Sequence, residues 1–261
     1  MQVRTPQVLW PVGLLPLLLV LLQYLFSAVA VIVKSRVAGF KCHQAIARLG
    51  NVTEYSGESE KEVCEMPIVV WAENISKTYE EKRVLSGISI KIEKGDRIRL
   101  LGTNGAGKTT LLRILAGCCK PDYGSVLQRA GTIAFSFQEE PELNVAAEEI
   151  VDALAEKGVI KREKFLRHIC GFKNMEILSR IPKECSAGQR KKFYLAIALS
   201  RNAEFLILDE PTNHLDAEGI FYLQEQLKNY SGTLLVCTHD EHLTLPWNKE
   251  YRIREGLLYE V

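Results

Sequence analysis

The sequence predicts an α/β fold built on a mostly parallel sheet, and three stretches carry the prediction. Phe205-Leu206-Ile207-Leu208 and Thr233-Leu234-Leu235-Val236-Cys237 are continuous apolar runs, the pattern of parallel strands covered on both faces. Between the strand-like Arg97-Ile98-Arg99-Leu100-Leu101 and an apolar-periodic stretch from Lys108 to Ala116 lies Gly102-Thr103-Asn104-Gly105-Ala106-Gly107. A tight glycine turn therefore joins a strand directly to a helix.

Taken in order, the chain begins with residues 8–33, which carry no charge. As a helix they would run about 39 Å, more than the ~30 Å of bilayer hydrocarbon. Residues 1–37 thus read as a hydrophobic N-terminal segment with one transmembrane helix. Lys34, Arg36 and Lys41 follow it while only Arg4 precedes it, which places the remainder in the cytoplasm. Two readings compete: a cleaved signal peptide ending at Ala28-Val29-Ala30, and a segment foreign to the domain, in which case the protein is cytoplasmic. Residues 38–66 form an acidic-leaning linker with Glu54, Glu58, Glu60, Glu62 and Glu65.

A folded domain spans 67–261. Ile68-Val69-Val70-Trp71 is strand-like, and Ile88-Ser89-Ile90-Lys91-Ile92 alternates as a half-buried strand does. A Lys120–Gly124 turn precedes a strand at Thr132–Phe137, and residues 145–178 are helical with short breaks. Ser186 is placed to cap a further helix carrying Phe193, Leu195, Ala196 and Ala198. The net charge of +1 implies no overall bias toward nucleic acid, and seven cysteines without a C-x-x-C pair indicate neither a disulfide framework nor a zinc site.

The chemistry is concentrated in a few positions. Gly102 to Thr109 fits the phosphate-loop pattern G-x-x-x-x-G-K-[ST], against the blander reading of a glycine-rich turn before a helix. Glycines let backbone N–H groups wrap a polyphosphate, and the helix start favours anions. Lys108 should reach the β- and γ-phosphates, and the Thr109 hydroxyl is suited to Mg²⁺. Asp209 ends an apolar strand, where a lone aspartate is more often a helix cap. With Glu210 beside it, Asp209 reads as the Mg²⁺-side carboxylate and Glu210 as the group that polarises the attacking water. His239 follows the strand Thr233–Cys237 and emerges at the same sheet edge.

Tyr79, the glycine loop, Gln138, Cys185-Ser186-Ala187-Gly188-Gln189, Leu208-Asp209-Glu210-Pro211, Asn213-His214-Leu215-Asp216 and Thr238-His239-Asp240 stand in an order that resembles the ATP-binding-cassette (ABC) ATPase domain. The resemblance covers residues 68–261. It implies a P-loop NTPase of the ABC type, with an antiparallel β part and a helical signature subdomain beside the mostly parallel sheet. It further implies ATP and Mg²⁺ as cofactors. Tyr79 would stack on adenine, and Gly102, Thr103, Asn104, Gly105, Ala106, Gly107, Lys108, Thr109 and Thr110 would cradle the phosphates. Thr109, Gln138 and Asp209 would hold Mg²⁺. Gln138 would also lie near the attacking water, His239 would contact the γ-phosphate, and Asp216 would close the D-loop. Ser186, Ala187, Gly188 and Gln189 would act in trans on a second cassette's nucleotide. Cys185 stands where the family has Leu, and Ala187 where it has the first Gly.

The Pro211–Asp216 and Gly232–Val236 stretches look like the ABC-F group, twin-cassette proteins that act on ribosomes. Lys157, Lys161, Arg162, Lys164, Arg167 and Lys173 would then offer a basic surface to RNA. The alternatives are a nucleotide-binding subunit serving a separate membrane permease and a non-hydrolytic, ATP-gated interaction module. Each of these readings needs a second cassette as partner, in a homodimer or a heteromer.

Overall fold

The computed structural model describes residues 67–140 and 143–261, so the expected membrane helix and linker of residues 1–66 lie outside the described residues. The described chain opens with an antiparallel hairpin, β1 (Ile68–Tyr79) and β2 (Lys82–Glu93). Ile88, Ile90 and Ile92 are buried on β2, the alternation of a strand with one face on the core, whereas β1 buries Val69, Val70, Ala72, Ile75 and Ser76, its period broken by bulges. β3 (Arg97–Gly102) leads through the glycine loop into α1 (Lys108–Leu115), which buries Leu111, Leu112, Ile114 and Leu115. β4 (Tyr123–Gln128) then pairs antiparallel with β1, completing a three-stranded sheet in the order β2-β1-β4.

β5 (Ile133–Ser136) is followed by α2 (Ala147–Glu156), α3 (Arg162–Gly171) and two short 3₁₀ turns, Met175–Ser179 and Pro182–Glu184. α4 (Ala187–Ser200) packs on α3 through the Phe165 and Phe193 rings, which meet edge to face at 5.7 Å. β6 (Phe205–Asp209), α5 (Ala217–Lys228), β7 (Thr233–Cys237), β8 (Lys249–Arg254) and β9 (Leu257–Glu260) complete the described chain.

The larger sheet has the order β5-β6-β7-β3-β8-β9. Every pairing in it is parallel except the β8–β9 hairpin. All five residues of β6 and all five of β7 are buried, as their apolar runs require. This topology sends the C-terminal ends of β3, β5, β6 and β7 out along one edge, where α/β sheets bind ligands. No helix among the described residues is long and apolar enough to cross a membrane.

Candidate active site

The loop between β3 and α1 is shaped by what stands behind it. Gly107 caps α1 at φ 101°, and a Cβ there would lie 2.8 Å from Leu85 Cδ2 and 2.9 Å from the Val84 carbonyl. Only glycine tolerates both the left-handed backbone and the approach of β2. The Lys108 amine folds back over the loop and donates to the carbonyls of Gly102 at 2.6 Å and Thr103 at 3.0 Å. Ala106 closes the turn by donating its N–H to Thr103 O at 3.2 Å.

At the neighbouring strand end, the Thr109 hydroxyl donates to Asp209 Oδ2 at 2.6 Å. Glu210 sits at φ 44°, a left-handed backbone that an L-residue adopts at a cost of about 1–2 kcal/mol. Its N–H is held by the Cys237 carbonyl at 2.8 Å. Its carboxylate accepts from the His239 N–H at 3.4 Å and lies 3.6 Å from His239 Nε2. The β6 and β7 ends together aim this strained carboxylate.

These groups share one cavity of about 550 Å³, lined by Asn104, Lys108, Thr109, Gln138, Glu210 and His239. Gly105, Gly107, Thr110 and Asp209 contribute to the same wall. Thr109, Asp209 and Gln138 present a hydroxyl, a carboxylate and an amide, all oxygen donors, which suits a hard cation such as Mg²⁺.

The other expected site residues lie outside this lining. Tyr79 is 44% exposed at the end of β1, its hydroxyl 3.6 Å from Cys119 Sγ and its ring 5.4 Å from the Lys77 amine. Ser186 caps α4: its hydroxyl accepts the Gln189 N–H at 3.2 Å while the Gln189 side chain accepts the Ser186 N–H at 3.1 Å. Ala187 begins α4. A Cβ on Gly188 would lie 2.6 Å from the His214 carbonyl, so the signature stretch abuts the Asn213–Asp216 stretch of its own chain. Asp216 caps α5 by accepting the Gly219 N–H at 2.8 Å, and it pairs with Lys192 at 2.7 Å.

Beneath the cavity lies a pair that sequence reasoning misses. The buried Lys191 amine donates to the Phe137 carbonyl at 3.1 Å and the Asp209 carbonyl at 3.4 Å, and lies 3.8 Å from Glu140 Oε1. It thus ties α4 to the segment after β5 and to the end of β6. Ser136 donates to Glu140 at 2.5 Å. Burial pushes the Glu140 carboxyl up to about 7 against the pull of Lys191, and burial lowers Lys191. A lysine in the first turns of a helix, four residues past its start at Ala187, reads from sequence as a solvated side chain, so only tertiary packing reveals it. Val84 also lines the cavity without a signal in the sequence, as does Asn213, which the sequence marks only as part of the Asn213–Asp216 stretch.

Residues 85–213 match the family model described as ABC transporter. The chain is 32% identical to the zinc import ATP-binding protein ZnuC of Yersinia pestis, over 69% of this chain and 73% of that protein. It is 32% identical to the ribosome protection protein VmlR of Bacillus subtilis, over 68% of this chain and 29% of VmlR. It likewise spans only 27–39% of the length of other bacterial relatives it matches. Among solved structures, a dimeric ATP-binding cassette in a post-hydrolysis state with ADP and Pi superimposes with a TM-score of 0.64 at 23% identity. That match covers 74% of this chain and 97% of the other, and it shows the fold.

Proposed function

Because the chain belongs to the ATP-binding-cassette family, we propose that its domain at residues 67–261 binds and hydrolyses Mg-ATP in a head-to-tail pair of cassettes, in the manner of the ABC-F group. The observation that carries the reading is the single cavity joining Lys108, Thr109, Asp209, Glu210 and His239. Lys108, now on loop carbonyls, turns to the phosphates, and the glycine-loop N–H groups take the remaining phosphate oxygens. Thr109, Asp209 and Gln138 would hold a Mg²⁺ ion, whose charge would offset that of the phosphates. Glu210 orients the attacking water and takes its proton, and His239 contacts the γ-phosphate side of the cavity.

Ser186, exposed at the start of α4, and the partly exposed Gly188 complete a partner's site, so one cassette alone is incomplete. Tyr79, exposed at the end of β1, is available to stack on adenine. Residues 1–37 anchor the chain in the membrane with the cassette on the cytosolic side. The likeness to a ribosome protection protein supports action on ribosomes. Arg162 is tied to Asp152 and Glu148, and Lys173 to Glu218, which leaves Lys157, Lys161, Lys164 and Arg167 as the RNA-facing cations.

A second reading, an ATP-binding subunit of a transporter with a separate permease, is favoured by the likeness to ZnuC over 73% of that protein's length. The Glu210→Gln protein separates the two. It should bind ATP without turnover and accumulate as a dimer on size exclusion. In ATP it should cosediment with ribosomes at low salt and be released as salt rises, because phosphate contacts release counterions. Turnover at the parent rate defeats the catalytic assignment. Copurification of a polytopic membrane protein without ribosomes selects the transporter reading.

A further inference from the structure

The described residues hold a second concavity, larger than the first at about 750 Å³. It runs along the opposite edge of the sheet, past the residues that lead into β3, β5, β6 and β7. Lys94, Arg129, Lys164 and Arg167 line it, and the one carboxylate in its wall, Glu204, is engaged by the Gly131 N–H at 2.7 Å. None of the four cations forms an ion pair among the described residues; Lys164 donates only to the Asn202 side chain. His168, also in the wall, is held down to about 4, first by burial and then by Arg167 and Lys164. The nucleotide chemistry proposed above uses none of these groups.

Pro67, Ile68 and Val69 form part of the same wall. Backbone hydrogen bonds fix this entry: Lys94 N–H to Pro67 O at 3.0 Å and Arg129 N–H to Val69 O at 2.8 Å. The chain therefore enters the fold at the rim of a groove with four cations. The stretch immediately upstream carries Glu54, Glu58, Glu60, Glu62 and Glu65 against Lys61 alone.

We propose that residues 54–65 of this chain dock in the groove and shield it from other polyanions. Reach is sufficient, since Glu65 is two residues from Pro67 and an extended chain back to Glu54 spans about 45 Å. Exposed ion pairs are individually weak, about 0–1 kcal/mol. Tethering raises the local concentration of the acidic stretch to the millimolar range, so several weak pairs suffice without a high intrinsic affinity. Lys164 and Arg167 line this groove and are two of the four cations offered above to RNA, so the docked stretch would compete with that contact.

The test uses the full chain in detergent. A zero-length carbodiimide joins a carboxylate to an amine only in contact. Glu58, Glu60, Glu62 or Glu65 should link to Lys94 or Lys164 within one molecule, and the links should vanish in about 0.5 M salt, where screening is short-ranged. A variant with all five glutamates changed to Gln should bind a labelled oligouridylate at least about ten-fold more tightly than the parent. Adding Arg129→Ala and Arg167→Ala should cancel that gain. ATP turnover, read in parallel, should not change in the five-Gln variant. Absence of intramolecular links, or equal oligouridylate affinity in parent and five-Gln variant, overturns the proposal and leaves the groove open to an external polyanion.

Discussion

At one edge of the parallel sheet, a cavity of about 550 Å³ holds charges that are already placed: Lys108 on two loop carbonyls, Asp209 on Thr109, Glu210 against His239. At the other edge, a groove of about 750 Å³ holds four cations that have no ion-pair partner among the described residues. The first would select its proposed ligand by the positions of donors and acceptors on a rigid scaffold. The second attracts by net charge alone, which is long-ranged, screened by salt and indifferent to ligand shape. Volume therefore does not point to the proposed catalytic centre in this fold; preorganised partners do.

The largest effect expected is on nucleotide affinity. Lys108→Ala removes charge-assisted bonds to phosphate worth about 4 kcal/mol together, so ATP binding by calorimetry should weaken about 1,000-fold. Retained affinity would break the contrast between the two edges. Next in size is a pH effect beneath the cavity. Glu140 is raised from its ordinary 4.5 to about 7, so the unfolded chain releases this proton at lower pH than the native one. The neutral carboxyl's contribution is full below about 4.5 and is lost as pH rises through about 7, a swing of about 3 kcal/mol. Urea midpoints of Glu140→Gln between about pH 4 and pH 8 should lack that swing. Parallel curves for parent and variant would remove the buried pair from the account.

A smaller effect is expected at the signature stretch. Gly188→Ala forces a methyl against the His214 carbonyl, and overpacking of this kind costs about 2 kcal/mol, a drop in Tm of about 5 °C. An unchanged melting curve would show that the approach does not constrain the native state. Smallest of all, Arg129→Ala with Arg167→Ala should leave ATP affinity within about two-fold and stability within about 0.5 kcal/mol. A large loss of ATP binding in this pair would mean that the two edges are energetically joined.

Much of this organisation is legible in the sequence where a residue type has one dominant physical use. The apolar runs of β6 and β7 announce buried parallel strands, and the glycine loop announces the turn into α1. Ser186 with Gln189 three residues later announces a capped helix, and the structure has that capping box. Legibility fails where exposure dilutes the pattern. β4 is nowhere fully buried, and β8 and β9 bury Ile253 alone among ten residues, so no hydrophobic period marks them. The amphipathic α5 lacks a strong apolar run, and its start at Asp216 reads equally as a loop. Lys108, Thr109, Asp209, Glu210 and His239 are readable as a set because each ends or follows a strand on one edge. Lys191 and Glu140 are not, because their meaning comes from being buried together.

The contact between Gly188 and His214 has a mechanical consequence. Residues 210–216 run from the strained Glu210 backbone to the Asp216 cap of α5, and His214 midway, itself at φ 65°, leans on the first turn of α4. Lys192 ties the far end of the run back to α4 through Asp216. In the head-to-tail dimer proposed above, α4 begins at the neighbour's nucleotide, while Glu210 serves the chain's own. The run would then form a continuous backbone link between the two nucleotide sites of the pair.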